Sequence, residues 1–156
     1  MESARDGSSS IRPARLSDAA EIAELSGQLG YPASTTEISN RLSRILVDSD
    51  YFAAVAEGPD GSILGWIGAE FSLLLEIGEE IEIVGLVIRQ GMRRLGIGKA
   101  LLAAVEDWAR ARGQSSIRVR SNTTRRESHP FYERMGYERI KTQHCYRKRV
   151  GSGKTP

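Results

Sequence analysis

The sequence predicts a mixed α/β fold in a single domain, built from about seven strands and four helices. The chain has 156 residues, a length typical of one domain with a sizeable core. Segments with strand-like and helix-like apolar spacing follow one another along residues 10–150. In the middle of the chain, residues 82–109 contain a short β-branched apolar run, a basic glycine-containing turn and an amphipathic helix. This combination of strand, turn and helix is the centre of the predicted domain.

The N-terminal half contains three predicted strands, at residues 11–14, 51–57 and 63–71. Pro13 predicts that the first strand lies at a sheet edge, because proline cannot donate to a strand ladder. Two helices follow that strand. One begins at Ser17 or Asp18, and the other begins at a capping box formed by Ser34 and Glu37.

The C-terminal half continues the alternation of strands and helices. Its predicted elements are a loop at 73–79, strands at 81–88 and 116–121, a helix at 95–112, a short helix opened at Ser128 and closed by Gly136, and a terminal hairpin at 137–141 and 144–149. Residues 1–9 and 151–156 are polar and small, and they predict disordered segments on either side of a domain at 10–150.

Composition excludes several classes of protein. A formal net charge of +2 is too small to imply nucleic-acid binding by itself. The single cysteine, Cys145, excludes an internal disulfide and a cysteine zinc cluster, and it suits a reducing compartment. No apolar run approaches the ~20 residues of a membrane span, and the N-terminal segment lacks a hydrophobic signal core. The expectation is a cytoplasmic protein without a metal, a nucleic-acid partner or a membrane partner.

The turn after the fourth predicted strand is rich in glycine and cations: Arg93, Arg94, Gly96, Gly98 and Lys99. Its glycines leave backbone N–H groups uncovered at a helix N-terminus, where the helix dipole also favours an anion. Two familiar phosphate motifs do not fit. Ala100 replaces the hydroxyl of a P-loop, and Leu101 replaces the third glycine of a dinucleotide fingerprint. The turn therefore predicts a polyphosphate site of another kind.

Two motifs carry a resemblance to a known family. Residues 93–98 have the pattern Arg-x-x-Gly-x-Gly directly after an apolar strand, which resembles the acetyl-CoA signature of the GNAT superfamily of N-acetyltransferases. Residues 121–137, SNTTRRESHPFYERMGY, are similar to the second cofactor motif of that superfamily. The resemblance implies a GNAT-like fold and direct transfer of an acetyl group from acetyl-CoA to a primary amine in a ternary complex. A CoA-binding regulatory or interaction module without turnover is the alternative.

The resemblance also indicates which residues would bind acetyl-CoA. The backbone of Leu86, Val87 and Ile88 would pair with the pantetheine amides like an added strand, which requires an exposed sheet edge. Gly85, inside that strand, predicts a bulge or a close approach that exposes an amide to the thioester oxygen. The other expected contacts are Arg93, Arg94, Leu95, Gly96, Ile97, Gly98, Lys99 and Ala100 for the diphosphate, Asn122 for the pantetheine arm, and Tyr132.

Catalysis needs a base and an acid. An alkyl amine titrates near ~10, so a base must remove its proton at neutral pH. Glu82 is the candidate, directly or through water, at the register where histone-acetylating members carry their glutamate, and Glu80 is its substitute. Tyr132, in Phe-Tyr-x-x-x-Gly, occupies the position of the superfamily's acid and would protonate the leaving thiolate.

Charge is segregated along the chain. Acidic residues precede the turn at Glu70, Glu76, Glu79, Glu80 and Glu82, and basic residues follow at Arg89, Arg93, Arg94 and Lys99. An acidic approach favours a cationic acceptor, which would be a polyamine-like or aminoglycoside-like amine or a lysine side chain. The superfamily often dimerises, so a homodimer is compatible with the resemblance.

Overall fold

The computed structural model describes residues 9–151. Residues 1–8 and 152–156, which carry most of the predicted disordered ends, lie outside the described residues. The described residues form two compact units, of which the first ends at Arg120 and the second begins at Ser121. The elements are β1 (Ser10–Pro13), a 3-10 turn (Leu16–Asp18), α1 (Ala19–Gln28), α2 (Thr35–Ile45), β2 (Tyr51–Glu57), β3 (Ile63–Leu74), β4 (Gly78–Ile88), α3 (Ile97–Ala111), β5 (Arg118–Val119) and α4 (Ser128–Arg134).

The first unit is built on one five-stranded sheet in the order β1-β2-β3-β4-β5. The first four strands pair antiparallel, and β5 pairs parallel with β4. The predicted mixed α/β fold is therefore confirmed, and the strand that carries Pro13 lies at the sheet edge as its composition predicts.

Helices cover both faces of the sheet. Val55 and Val87 belong to the core cluster that also holds the apolar residues of α1 and α2, Ile22, Leu25, Ile38 and Leu42. Leu101 of α3 packs on the other face, where its side chain lies 3.4 Å from the position of a Cβ built on Gly65. The two helix layers bury alternate residues of the same strands, because successive side chains of a strand point to opposite faces.

The ends of α2 follow local sequence rules. The Ser34 side chain accepts a hydrogen bond from the Glu37 N–H at 3.1 Å, and the Glu37 carboxylate accepts one from the Ser34 N–H at 2.9 Å. This is the predicted capping box, and it is confirmed.

Two predictions about the strands are wrong. Residues 73–79 do not form a loop, because β3 runs to Leu74, β4 begins at Gly78, and the two pair as a hairpin up to Leu74–Gly78. Backbone pairing continues to the Leu74–Gly78 pair although Leu73 and Leu75 are exposed. Pairing at this end of the hairpin therefore does not depend on burial of the side chains. The expected hairpin at 137–141 and 144–149 is also absent, since no strand is assigned to residues 137–150. Within the described residues the sheet has five strands instead of seven.

The second unit contains α4 and a small aromatic cluster. The ring centroids of Phe131 and Tyr132 lie 5.2 Å apart, and those of Tyr132 and Tyr137 lie 5.8 Å apart. The Tyr137 N–H donates to the Tyr132 carbonyl at 2.9 Å just after the helix ends. Farther along, Ile140, Tyr146 and Val150 are exposed, which gives an expected strand pair no apolar face to bury.

Candidate active site

The backbone edge of β4 is open over the segment expected to bind pantetheine. β4 pairs with β3 along its length, but β5 pairs with it only at Glu82–Arg118 and Ile83–Val119. From Val84 to Ile88 the sheet therefore provides a partner strand on the β3 side alone. An edge of this kind has free N–H and C=O groups that an extended ligand can pair with. Leu86, Val87 and Ile88 lie on this edge.

A β-bulge lies beside this open edge. Pairing passes from Gly68–Gly85 directly to Ala69–Ile83, so Val84 is the extra residue on β4. Gly85 is also a point of close approach, because a Cβ built on it would lie 2.5 Å from the Trp66 ring. The bulge expected at Gly85 is thus present, with Val84 as the inserted residue one position earlier in the chain.

The turn after β4 leads into α3 without a side-chain cap. Gly96 is the N-cap of α3, has a φ of 80° and makes no side-chain capping bond. The first helical hydrogen bond runs from the Ala100 N–H to the Gly96 carbonyl at 3.0 Å. The N–H groups of Ile97, Gly98 and Lys99 precede it, so they have no intrahelical acceptor. No acidic residue lies in the first turn of α3, and the site therefore suits an anion such as a diphosphate.

Cations surround this helix end. Arg93, Arg94 and Lys99 are all exposed, and Leu95 between them is 65% exposed. Arg94 has a φ of 67° and is the one non-glycine residue with positive φ in the described chain. A side chain in that region carries backbone strain, which tends to occur at functional sites.

Both candidate bases are ion-paired with arginines, Glu80 with Arg118 of β5 and Glu82 with Arg120 just after that strand. The Glu82 carboxylate accepts from Arg120 Nε at 2.7 Å and from Arg120 Nη2 at 3.2 Å. Glu80 pairs with Arg118 at 3.2 Å. The acidic residues are close together in the sequence, but their pairings cannot be predicted from it because they depend on how β5 aligns with β4. The Arg120 side chain is 69% exposed, whereas the Glu82 side chain is 12% exposed, so the arginine lies on the solvent side of this pair.

One row of residues on the sheet was not recognised from the sequence as a unit. Tyr51, Glu70 and Glu82 lie opposite one another on β2, β3 and β4. Tyr51 is half-buried, and burial followed by the nearby Glu70 charge raises the pKa of its phenol. Two carboxylates at directly opposite positions repel each other, and in the described residues Glu70 has no cationic partner. The row therefore forms an acidic patch with the aromatic ring of Tyr51 at one end.

Asn122 and Tyr132 belong to the second unit. Asn122 uses its side-chain oxygen within its own turn, accepting from the Thr124 N–H at 3.0 Å and from the Thr124 hydroxyl at 2.8 Å. Tyr132 lies half-buried in α4, and burial raises the pKa of its phenol although the Arg125 charge acts in the opposite direction.

Two features are absent from residues 9–151. No group of three or more histidine, cysteine, aspartate or glutamate side chains is arranged to hold a metal ion. Neither is any helix of this range long and apolar enough to cross a membrane.

Comparison with known proteins identifies the class. Residues 19–137 match the acetyltransferase (GNAT) family. Over 149 residues the chain is 26% identical to an aminoglycoside N(6')-acetyltransferase type 1 of Klebsiella aerogenes, covering 92% of this chain and 98% of that protein. It is 36% identical over 80 residues to an aminoalkylphosphonate N-acetyltransferase of Salmonella typhimurium, covering 51% of this chain and 52% of the relative.

Solved structures show the same fold. An aminoglycoside N-acetyltransferase in complex with CoA superposes with a TM-score of 0.84 at 20% identity, covering 94% of this chain and 99% of that one. This likeness shows the fold, and the family match over residues 19–137 defines the class as an acetyltransferase. The chain belongs to the acetyltransferase (GNAT) family, and it is an N-acetyltransferase that uses acetyl-CoA.

Proposed function

We propose that this N-acetyltransferase transfers the acetyl group to a cationic primary amine, with its diphosphate-binding turn at residues 93–100 and its acceptor patch at Tyr51, Glu70 and Glu82. The observation that carries this proposal is the uncapped N-terminus of α3, which follows the open edge of β4 in the chain. The turn supplies amides and cations for an anion, and the edge supplies backbone groups for an extended arm.

The cofactor contacts are divided among backbone and side chains. Leu86, Val87 and Ile88 pair through their backbone with the pantetheine amides. The N–H groups from Leu95 to Lys99 hold the diphosphate, and Arg93, Arg94 and Lys99 add charge. Asn122 contacts the pantetheine arm, as the resemblance implies. Acetyl-CoA supplies the acetyl thioester when bound.

Glu82 acts as the base, directly or through one water, with Glu80 as its substitute. Its carboxylate must first exchange the Arg120 contacts for the acceptor's ammonium group. The exchange leaves the net charge around the Glu82 carboxylate nearly unchanged, because the acceptor's ammonium group replaces the guanidinium group of Arg120. A proton then passes from the ammonium to the carboxylate, and the neutral amine can attack.

Tyr132 acts as the acid that protonates the leaving thiolate. Its raised phenol pKa keeps the hydroxyl protonated through the neutral range. An ordinary thiol titrates near ~8.5 and an ordinary phenol near ~10, so burial makes Tyr132 a weaker acid than an ordinary tyrosine and widens this difference.

An amine-panel assay tests the proposed activity. The panel contains polyamines, aminoglycosides and a lysine peptide, and release of CoA thiol is measured. Tyr132→Phe should lower kcat about 100-fold, as expected for the loss of a general acid. Tyr146→Phe is the matched control, because Tyr146 is 89% exposed in the same unit. Equal rates for the wild type and Tyr132→Phe would remove Tyr132 from the mechanism.

The acceptor patch predicts that Glu70 selects cationic amines. Glu70→Gln should raise KM for the amine about 5-fold, with KM for acetyl-CoA unchanged, because one attractive charge is lost near the surface. Glu106→Gln, on α3, makes the same change in net charge away from the patch and should alter neither constant. A Glu70→Gln enzyme with unchanged acceptor KM would contradict the assignment of the patch.

The proposal also covers the extent of the catalytic domain, its cellular location and its oligomeric state. The catalytic domain spans residues 10–150, and the family match at 19–137 supports this extent. A cytoplasmic location is supported by the exposed free thiol of Cys145, which suits a reducing compartment. A homodimer stays a prediction from the resemblance, and sedimentation of the purified protein tests it.

A further inference from the structure

Arg89 and Gln90, the first two residues after β4, form hydrogen bonds with β3 and α1. The Arg89 N–H donates to the Leu64 carbonyl at 2.7 Å, and Arg89 Nε donates to the Ile63 carbonyl at 2.9 Å. These bonds attach the beginning of the turn to the beginning of β3. They leave the outer nitrogens of the guanidinium for other partners.

Those outer nitrogens bind to one side of α1. Arg89 Nη1 donates to Glu24 at 2.9 Å, and Arg89 Nη2 donates to Glu21 at 3.4 Å. The same Glu21 oxygen accepts the Ile63 N–H at 2.8 Å, so it links α1, β3 and the turn. One turn of helix farther on, the Gln28 side-chain oxygen accepts the Gln90 N–H at 3.1 Å.

Glu21, Glu24 and Gln28, here called the α1 clamp, are spaced three and four residues apart, so they form one stripe of the helix. The apolar residues Ile22 and Leu25 form the neighbouring stripe, which packs into the core. The clamp is therefore fixed in position by the packing of α1, and it transmits that position to residues 89 and 90.

We propose that the α1 clamp is a positioning device for the diphosphate turn, holding residues 89 and 90 so that the amides before α3 are aligned for the anion. This inference rests on the proposed role of the turn. α3 fixes the far end of the turn at Gly96, and the clamp fixes its near end. With both ends fixed, the segment between them has fewer conformations, and less binding energy is spent in ordering it.

The charges of the α1 clamp allow a test by the direction in which the affinity for CoA changes. Glu21 and Glu24 are negative and lie near a turn that should bind an anion. If they acted only through their charge, their removal would strengthen CoA binding. If they act by holding Arg89, their removal will weaken CoA binding. The two explanations predict opposite changes.

The experiment compares two double variants by calorimetry with coenzyme A. Glu21→Ala with Glu24→Ala should raise the Kd for CoA about 10-fold and raise KM for acetyl-CoA similarly, with kcat within about 2-fold, because only the binding-competent fraction changes. Glu106→Ala with Asp107→Ala on α3 removes the same charge and should leave the Kd unchanged. Gln28→Ala removes one bond without a change in charge and should raise the Kd about 3-fold.

Amide hydrogen exchange without ligand separates a local effect from a loss of folding. In the Glu21→Ala, Glu24→Ala variant the amides of residues 90–96 should exchange faster, with the central amides of α3 unchanged. An unchanged or smaller Kd in this variant, with the wild type binding CoA, overturns the inference alone. Absence of CoA binding by the wild type overturns the proposed role of the turn and this inference together.

Discussion

Tyr132 shows how burial determines the chemistry of one side chain. Its phenol is half-buried in α4, and this burial raises its pKa above the ordinary value of 10.0, although Arg125 opposes the shift. A phenol of this kind stays protonated at neutral pH, so it can donate a proton but cannot serve as a base there.

The raised pKa gives a prediction for the pH profile. The protonated form of Tyr132 should persist until the pH exceeds about 10, so its loss cannot cause a decrease in kcat between pH 7 and pH 10. We expect the kcat of Tyr132→Phe, measured across this range, to be lower by a constant factor. A wild-type alkaline limb centred below pH 9 that disappears in Tyr132→Phe would contradict this.

Glu82 illustrates what a sequence reveals about a residue and what it does not. Its type and its place on an apolar strand mark it as a candidate base. The ion pair with Arg120, however, forms only because β5 runs parallel to β4 and pairs at Glu82–Arg118. That alignment joins residues far apart in the chain, and no local pattern encodes it.

At the scale of single elements, the α3 N-terminus depends on the backbone conformation of Gly96. Its φ of 80° lies in the left-handed region, where an added Cβ costs about 1 kcal/mol. Space is not the constraint, since a Cβ there would meet no atom within 4 Å. The requirement for glycine is therefore conformational.

Gly96→Ala should accordingly lower the free energy of unfolding by about 1 kcal/mol and raise the Kd for CoA about 10-fold, because relief of the strain displaces the amides of the turn. Gly113→Ala is the matched control. Gly113 follows the C-terminal end of the same helix, has a φ of 75° and is equally open. It should lose similar stability in a denaturant titration and keep the wild-type Kd. Equal Kd values for both variants would show that the turn does not need this conformation.

The β3–β4 hairpin shows an error made at the level of elements. Three consecutive leucines hide the alternation that identifies a strand, so the sequence predicts a loop at residues 73–79. β3 and β4 instead extend beyond the ends of the neighbouring strands, and Leu73 is 75% exposed. Backbone hydrogen bonds in an antiparallel pair need no burial, and periodicity reports burial only.

At the scale of the whole molecule, one ion-pair network joins β1, β2 and the segment before α1. Arg12 makes two 2.8 Å hydrogen bonds to the carboxylate of Asp18 and a 2.7 Å bond to Glu57. Burial alone would raise the pKa of Asp18, but the bonds from Arg12 and from the Arg15 N–H outweigh it, and the pKa is lowered. Asp18 is 5% exposed, so it depends on these partners.

This network should contribute to acid stability. Because the folded-state pKa of Asp18 is lowered, its contribution is complete above the unfolded value near ~3.9 and is lost as the pH decreases through the folded value. Asp18→Asn should lower the free energy of unfolding at pH 7 by about 3 kcal/mol, since it leaves the Arg12 charge inadequately paired. It should also remove part of the decrease in stability below pH 4.

Urea titrations at pH 7 and pH 3 measure both effects. Asp107→Asn is the control, because its pair with Arg110 is exposed on α3, with side chains 80% and 69% accessible. Its stability should match the wild type at both values of pH. An Asp18→Asn protein as stable as the wild type at pH 7 would show that the network contributes no net stability.

The sequence by itself determined the fold class, the order of elements up to α4, and the position of the glycine-containing turn before α3. These features depend on local causes: apolar periodicity, a capping box, and glycines placed between a strand and a helix. The bulge beside Gly85 belongs here too, because an interior glycine in a strand signals it locally.

Only the tertiary structure decided which side chains meet. It paired Glu82 with Arg120, set Tyr51, Glu70 and Glu82 in one row, and attached Arg89 to Glu21 and Glu24. It also removed the expected C-terminal strands. Each of these outcomes depends on strand register or on helix placement between distant segments, and the energy of such contacts is not encoded in any short stretch of chain.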